Sequence, residues 1–308
     1  MTARIIRSFE DKHKQLWGQH TVKLRHELAK SELFTDAGIA DLIDQLPRER
    51  IAINTMSPGM PKRESWSYCD RGSVRGADIL DIVKRGRLWI NMTRLETVDR
   101  RFAGLLEDMF TEFESFLPDF KTFKRSVGLL VSSPSAQVFY HADVPGQALW
   151  QLRGRKRIYI YPAEAPFLAP REIENVVRGI TEEEMEYRPW YDEHAEVHEL
   201  EAGDMLHWKL NGPHRVVNLD TLNVSLTTEH YTPAIRRSYA MNYGNGVLRD
   251  LGFSPRSRRI DGPAFWSKAA LTAAWRALPM HKERSFKRVF KFRIEPGTET
   301  GLMPLEQN

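Results

Sequence analysis

Apolar positions recur every three or four residues through the first third of the chain, every second residue through the middle, and at helical spacing again near the end. Thr35 and Asp36 stand ahead of Ala37, Ile39, Leu42, Ile43 and Leu46, with Pro47 behind them, which predicts a capped helix. Residues 50–56 alternate Ile51 and Ile53 with smaller or polar side chains, as a half-buried strand does. A second helix is expected over 78–84, stopped by Gly86, followed by a short strand at Leu88, Trp89 and Ile90. Phe102, Leu105, Leu106, Met109, Phe110, Phe113 and Phe116 line one side of a third helix ended by Pro118, and they read as core.

From residue 126 the period shortens. Segments 127–131, 137–140, 148–152, 157–161, 197–200, 205–208, 215–218 and 223–228 all fit strands of four to six residues. Gly154 marks a tight hairpin, and Gly203 with Asp204 marks another turn. So many short strands predict a sandwich or barrel. An acidic, Pro-interrupted insert fills 163–196, and its run Glu182, Glu183, Glu184, Glu186 reads as a solvated helix face. Beyond Pro233 the pattern is helical, best at 266–278. Three segments follow: 1–125, mixed α/β and packed on the barrel; 126–233, the barrel; and 234–308, a basic helical tail.

Composition narrows the class. At 41% hydrophobic and 28% charged residues the chain is neither disordered nor membrane-embedded. The charge-free stretch 127–140 contains Ser132, Ser133, Pro134, Ser135 and Gln137, so it is no lipid span, which needs about 20 apolar residues. Arg4, Arg7, Asp11 and Lys12 are followed by no apolar signal core, and a cytoplasmic protein is expected. A single cysteine, Cys69, leaves histidines and carboxylates as the available metal ligands. Charge is uneven: 236–293 holds fourteen Lys or Arg against Asp250, Asp261 and Glu283, while the remainder is net acidic. The tail is expected to pack near the acidic insert or over the barrel mouth, as a subunit contact or substrate gate.

The chemistry sits at His141-Ala142-Asp143, at a strand end, with His214 far downstream. Residues i and i+2 of an extended chain share a face, so His141 and Asp143 can reach one ion, and a histidine from a neighbouring strand completes the set. Two imidazoles and one carboxylate leave positions open on an octahedral ion and suit ferrous iron. His194, His198 and Glu199 form a rival run. Pro189 and the alternation of 197–200 place it on a strand, where the two imidazoles are too far apart for one ion. His207 and His230 read as core or rim.

His141 and Asp143, then Gln147, then a hairpin ending in Arg155-Lys156-Arg157 resemble the iron-binding strand and hairpin of jumonji-C-type, cupin-like 2-oxoglutarate oxygenases. Gly203-Asp204, His214 and Asn218 are similar to the second cupin motif, although Lys209 replaces its usual Pro and its Gly is displaced to Gly212. The resemblance covers 126–232. It implies a mainly β, α+β protein with a double-stranded β-helix (jelly-roll) core, and Fe(II), 2-oxoglutarate and O2 as cofactors. His141, Asp143 and His214 would hold the metal and Lys156 the far carboxylate of 2-oxoglutarate. Gln147, Asn223, Ser225 and Tyr159 are further cosubstrate contacts, and Trp150 is left open between site wall and core. Strand parity sets Lys156 opposite Arg155 and Arg157.

The expected activity is hydroxylation of a small molecule, anionic or carrier-bound, with release of succinate and CO2. The alternatives are a protein side-chain hydroxylase, or a non-oxidative metal-binding or regulatory cupin. The resemblance also implies a homodimer through C-terminal helices, here with Trp266, Leu271, Ala274, Trp275 and Leu278 as the stripe. No zinc finger, winged helix or chromatin-reading motif is present in the sequence, and no nucleic-acid partner is expected.

Overall fold

A computed structural model describes residues 4–57, 62–219, 221–278 and 288–305. The amino-terminal third runs α1 (Asp11–Leu16), β1 (Val22–Arg25), α2 (Asp36–Gln45), β2 (Ile51–Met56), β3 (Trp66–Asp70), α3 (Gly76–Arg85), β4 (Leu88–Met92) and α4 (Arg100–Phe116). Thr35 caps α2, its hydroxyl accepting from the Gly38 N–H at 3.2 Å. On α4, Phe102, Leu106, Met109, Phe110 and Phe113 are buried at three- and four-residue intervals, which presses the helix onto the large sheet.

Then come β5 (Phe123–Ser132), β6 (Gln137–His141), β7 (Gly146–Arg153), β8 (Lys156–Ile160), α5 (Pro170–Val177), β9 (Glu196–Leu200), β10 (Asp204–His207), β11 (His214–Asn218) and β12 (Asn223–Tyr231). Strands β10, β7, β12 and β5 form one wall, and β6, β11, β8 and β9 the other, all antiparallel. Apart from β8 and β9, which pair within the second wall, successive strands from β5 to β12 alternate between the walls, which is the winding of a double-stranded β-helix. Gly154, at φ +76°, turns the chain from β7 in the first wall to β8 in the second, so the hairpin expected there is a crossing between walls, because the two strands pair with other partners. A Cβ there would meet the Leu222 carbonyl oxygen at 2.3 Å, so both conformation and space require glycine.

The first wall extends well beyond the barrel. Strands β4, β2 and β3 continue it past β5, and β1 adds to the far edge beside β10. Period-2 alternation splits β7 between two environments. Ala148, Trp150 and Leu152 join the core under the amino-terminal helices, whereas Leu149 turns into the barrel with Ile158, Ile160, Leu200, Leu206 and Trp208. Trp150 is therefore core, its indole N–H donating to the Thr228 hydroxyl at 3.1 Å.

The tail forms α6 (Pro233–Asp250), α7 (Gly262–Ala277), β13 (Phe290–Ile294) and β14 (Leu302–Pro304). It is thus not purely helical: β13 pairs parallel with β3 and buries Ile294 in the main core. The helices lie behind the small wall, where Tyr243 and Val247 of α6 meet α5 together with Tyr140 and Tyr161. Because Tyr140 alternates with His141, this face is opposite the one that carries the histidines, so α6 and α7 do not cap the barrel mouth. Ion pairs fasten α6 to the insert. The fully buried Glu174 accepts from Arg249 at 2.6 Å, and Asp250 takes Arg171 at 3.0 Å and Arg178 at 2.5 Å. Part of the tail's positive charge is neutralised this way, while Lys282, Arg284 and Lys287 lie outside the described residues. Of the expected apolar stripe, Trp266 is 61% and Leu278 44% exposed. No helix among the described residues is long and apolar enough to cross a membrane.

Candidate metal and cosubstrate site

The last residue of β6 and the first of β11 are His141 and His214, directly opposite each other in the ladder. That register sets their rings 4.1 Å apart. Asp143 follows two residues after β6 and brings Oδ2 to 3.3 Å from His214 Nε2. Donor atoms of the three side chains all lie within 4.8 Å of one another. Both rings have a defined tautomer. His141 Nδ1 lies 2.7 Å from the Phe139 carbonyl and His214 Nδ1 lies 3.1 Å from the Gly212 carbonyl. A carbonyl only accepts, so each Nδ1 carries the proton and each Nε2 presents its lone pair. The Gln147 amide donates to Asp143 Oδ2. Burial raises the Asp143 carboxyl and drives the His214 imidazole well down, the latter helped by His141 alongside. Three donors crowded together, two of them half-buried and one buried, are a charge arrangement that a divalent cation would relieve.

Lys156 opens β8 on the barrel-facing side and is 4% exposed. Burial alone pushes its ammonium down to about 7, and no carboxylate among the described residues acts on it. It pairs across the ladder with Asn218, while His214 pairs with Ile160, four residues further along β8. Lys156 therefore sits about 13 Å of strand below the histidines, at roughly 3.3 Å per residue. Across the barrel, Gln151 donates to Asn223 Oδ1 at 2.7 Å and accepts from the Ser225 hydroxyl at 2.7 Å. All three are fully buried. The barrel thus holds a polar floor with an uncompensated cation and, at its rim, a set of metal-type donors.

Two solved structures of Escherichia coli YcfD match this fold. The chain has a jumonji-like cupin fold. One YcfD structure is 16% identical, with a TM-score of 0.51 over 90% of this chain and 70% of the other. The second, described as a ribosomal oxygenase in complex with cobalt and 2-oxoglutarate, is 14% identical, with a TM-score of 0.51 over 94% of this chain and 74% of the other. No family model matches the sequence, and no curated protein matches it.

Within this cupin fold, Tyr159 does not belong to the cosubstrate site. Parity turns Arg157, Tyr159 and Tyr161 outward, and the Tyr159 ring lies 3.5 Å beneath the Arg215 guanidinium. His207 also faces away from the barrel, stacked on Trp17 at 4.1 Å, and His230 packs against Phe120 at 4.9 Å. His194 closes a short 3-10 turn while His198 lies on β9, and neither joins the metal-type cluster.

The acidic run of the insert is extended instead of helical. Glu184 forms a bridge with His141, and the Glu183 carbonyl accepts from the Ala142 N–H at 3.4 Å. Glu183 keeps solvent-accessible surface, as does Glu229 on β12. Both carboxyls stay exposed, and neighbouring protein that screens them from part of the solvent, followed by repulsion from Asp143, shifts both upward. From sequence, Gln151 stands in the motif stretch without a role of its own, Glu183 reads as part of a solvated helix face, and Glu229 carries no signal. Gln151 had a usable signal, since it shares strand parity with Gln147; the two glutamates are brought in by long-range packing.

Proposed function

We propose that this chain is an Fe(II)- and 2-oxoglutarate-dependent oxygenase that hydroxylates a protein side chain. The observation that carries the reading is one barrel holding both His141, Asp143 and His214 within ligand reach of one another and, below them, the buried Lys156, which no carboxylate among the described residues pairs. His141, Asp143 and His214 would hold the iron, which when bound supplies dioxygen chemistry coupled to decarboxylation of 2-oxoglutarate to succinate and CO2. Lys156 neutralises the far carboxylate of the cosubstrate through a charge-assisted hydrogen bond, where an unpaired charge would be costly. Asn223 and Ser225, held by Gln151, offer it further polar contacts. Gln147 steadies the Asp143 carboxylate, and the two backbone carbonyls hold the imidazoles in their ligating tautomers.

A protein substrate is favoured over a small molecule because the YcfD structure with cobalt and 2-oxoglutarate is described as a ribosomal oxygenase. Anaerobic Fe(II) titration with and without 2-oxoglutarate tests the chemistry: a visible metal-to-ligand charge-transfer band is expected from the native chain and none from Asp143→Ala. A folded native protein without that band sinks the oxygenase reading. Protein extract freed of small molecules should then stimulate succinate formation and acquire single-oxygen mass additions, and stimulation by the small-molecule fraction alone overturns the protein-substrate assignment.

A further inference from the structure

The two histidines are placed by the β6–β11 ladder, but Asp143 lies outside any strand, in the loop between β6 and β7. Its placement needs another cause. Part of it comes from Gln147, which holds the carboxylate. The rest comes from the turn before His214, where this chain departs from the usual motif by having Lys209 and a displaced Gly212. There the Gly212 N–H donates to the Lys209 carbonyl at 2.9 Å and closes a tight turn. Asn211 within it adopts φ +56°, a left-handed conformation that Asn tolerates better than most residues. That conformation delivers the Asn211 amide to the Asp143 backbone carbonyl at 2.6 Å. One residue on, the Gly212 carbonyl receives the His214 Nδ1–H. Two of the three ligand residues are thereby held by adjacent residues of one turn.

We infer that Asn211 is a positioning residue of the metal centre: it ties the Asp143 loop to the His214 turn and sets the distance between carboxylate and imidazole before metal arrives. This rests on the metal-centre reading above. Two variants separate hydrogen bond from backbone. Asn211→Gly keeps the left-handed turn and removes the amide, whereas Asn211→Asp keeps size and turn but replaces the donor with an oxygen facing the Asp143 carbonyl.

The experiment is titration of the full-length native chain and both variants with cobalt(II), read by its visible ligand-field absorbance, with the thermal midpoint of the metal-free protein measured alongside. Outer contacts to a ligand residue are typically worth 10- to 100-fold in metal affinity, so both variants should bind cobalt about ten-fold or more weakly, with an altered band shape. Asn211→Gly should do so even where its midpoint matches the native one, a result that a merely structural role does not produce. Native affinity and band shape in Asn211→Gly, or in Asn211→Asp should the glycine variant not fold, overturn the inference while leaving the metal centre standing. Failure of the native chain itself to bind cobalt instead sinks the metal-centre reading on which it rests.

Discussion

Replacing Lys156 by methionine should stabilise the empty protein and at the same time cripple cosubstrate binding. The side chain is 4% exposed, and burial alone pulls its ammonium from the ordinary lysine range to about 7. A shift of that size corresponds to an upper bound on the order of 5 kcal/mol against the charged form in the folded state. The unfolded chain binds the proton more tightly, so this penalty is complete below pH 7 and shrinks as pH rises from 7 towards the ordinary lysine value. Methionine fills similar volume without a charge. The metal-free variant should melt on the order of 5 °C above the native protein at pH 6, with a smaller gap at pH 9. Cosubstrate binding moves the other way. Leaving a carboxylate buried opposite an apolar side chain costs roughly 2–5 kcal/mol, or about 30-fold to several thousand-fold in affinity. Scanning calorimetry at the two pH values, with 2-oxoglutarate titrated into the anaerobic iron-loaded protein, reads both effects. A variant that melts no higher at pH 6 and binds 2-oxoglutarate like the native protein would refute the argument that Lys156 is an uncompensated charge awaiting a carboxylate.

Three further outcomes follow from the geometry. Native 2-oxoglutarate affinity should weaken above pH 7 as Lys156 loses its proton, and a flat pH profile of the apparent dissociation constant between 6.5 and 9 contradicts the assigned partner, the window following from the depressed value of about 7. Glu174→Ala leaves Arg249 without its buried partner and should lower unfolding stability by about 3 kcal/mol in urea melts, with cobalt binding unchanged. Gly154→Ala pushes a methyl group to 2.3 Å from the Leu222 carbonyl oxygen at φ +76° and should cost upwards of about 1 kcal/mol; a melt that matches the native one disproves the fit of that turn.

What could be read from the chain depended on how local the physics is. Strand parity is a property of the backbone, so the aim of Lys156 opposite Arg155 and Arg157 follows from spacing alone, whereas Asp143, expected to share a face with His141 by the same parity, reaches the site from a loop beyond the end of β6. The same parity that selects Lys156 turns Tyr159 outward, so the sequence already held the reason to exclude that tyrosine. The pattern Phe102, Leu106, Met109, Phe110, Phe113 specified its helix in the same way, because burial of one stripe requires that period. Tertiary structure decided the rest. Whether Trp150 faced the site or the core depended on which side of β7 the amino-terminal helices cover. The Glu182 to Glu186 run looked like a helix face until pairing of Glu184 with His141 held it extended, and β13 is a strand only because β3 offers it an edge. The barrel's chemistry was written locally. The rim and the turn that aims Asp143 exist only because residues forty to seventy positions apart meet there, which no local period encodes.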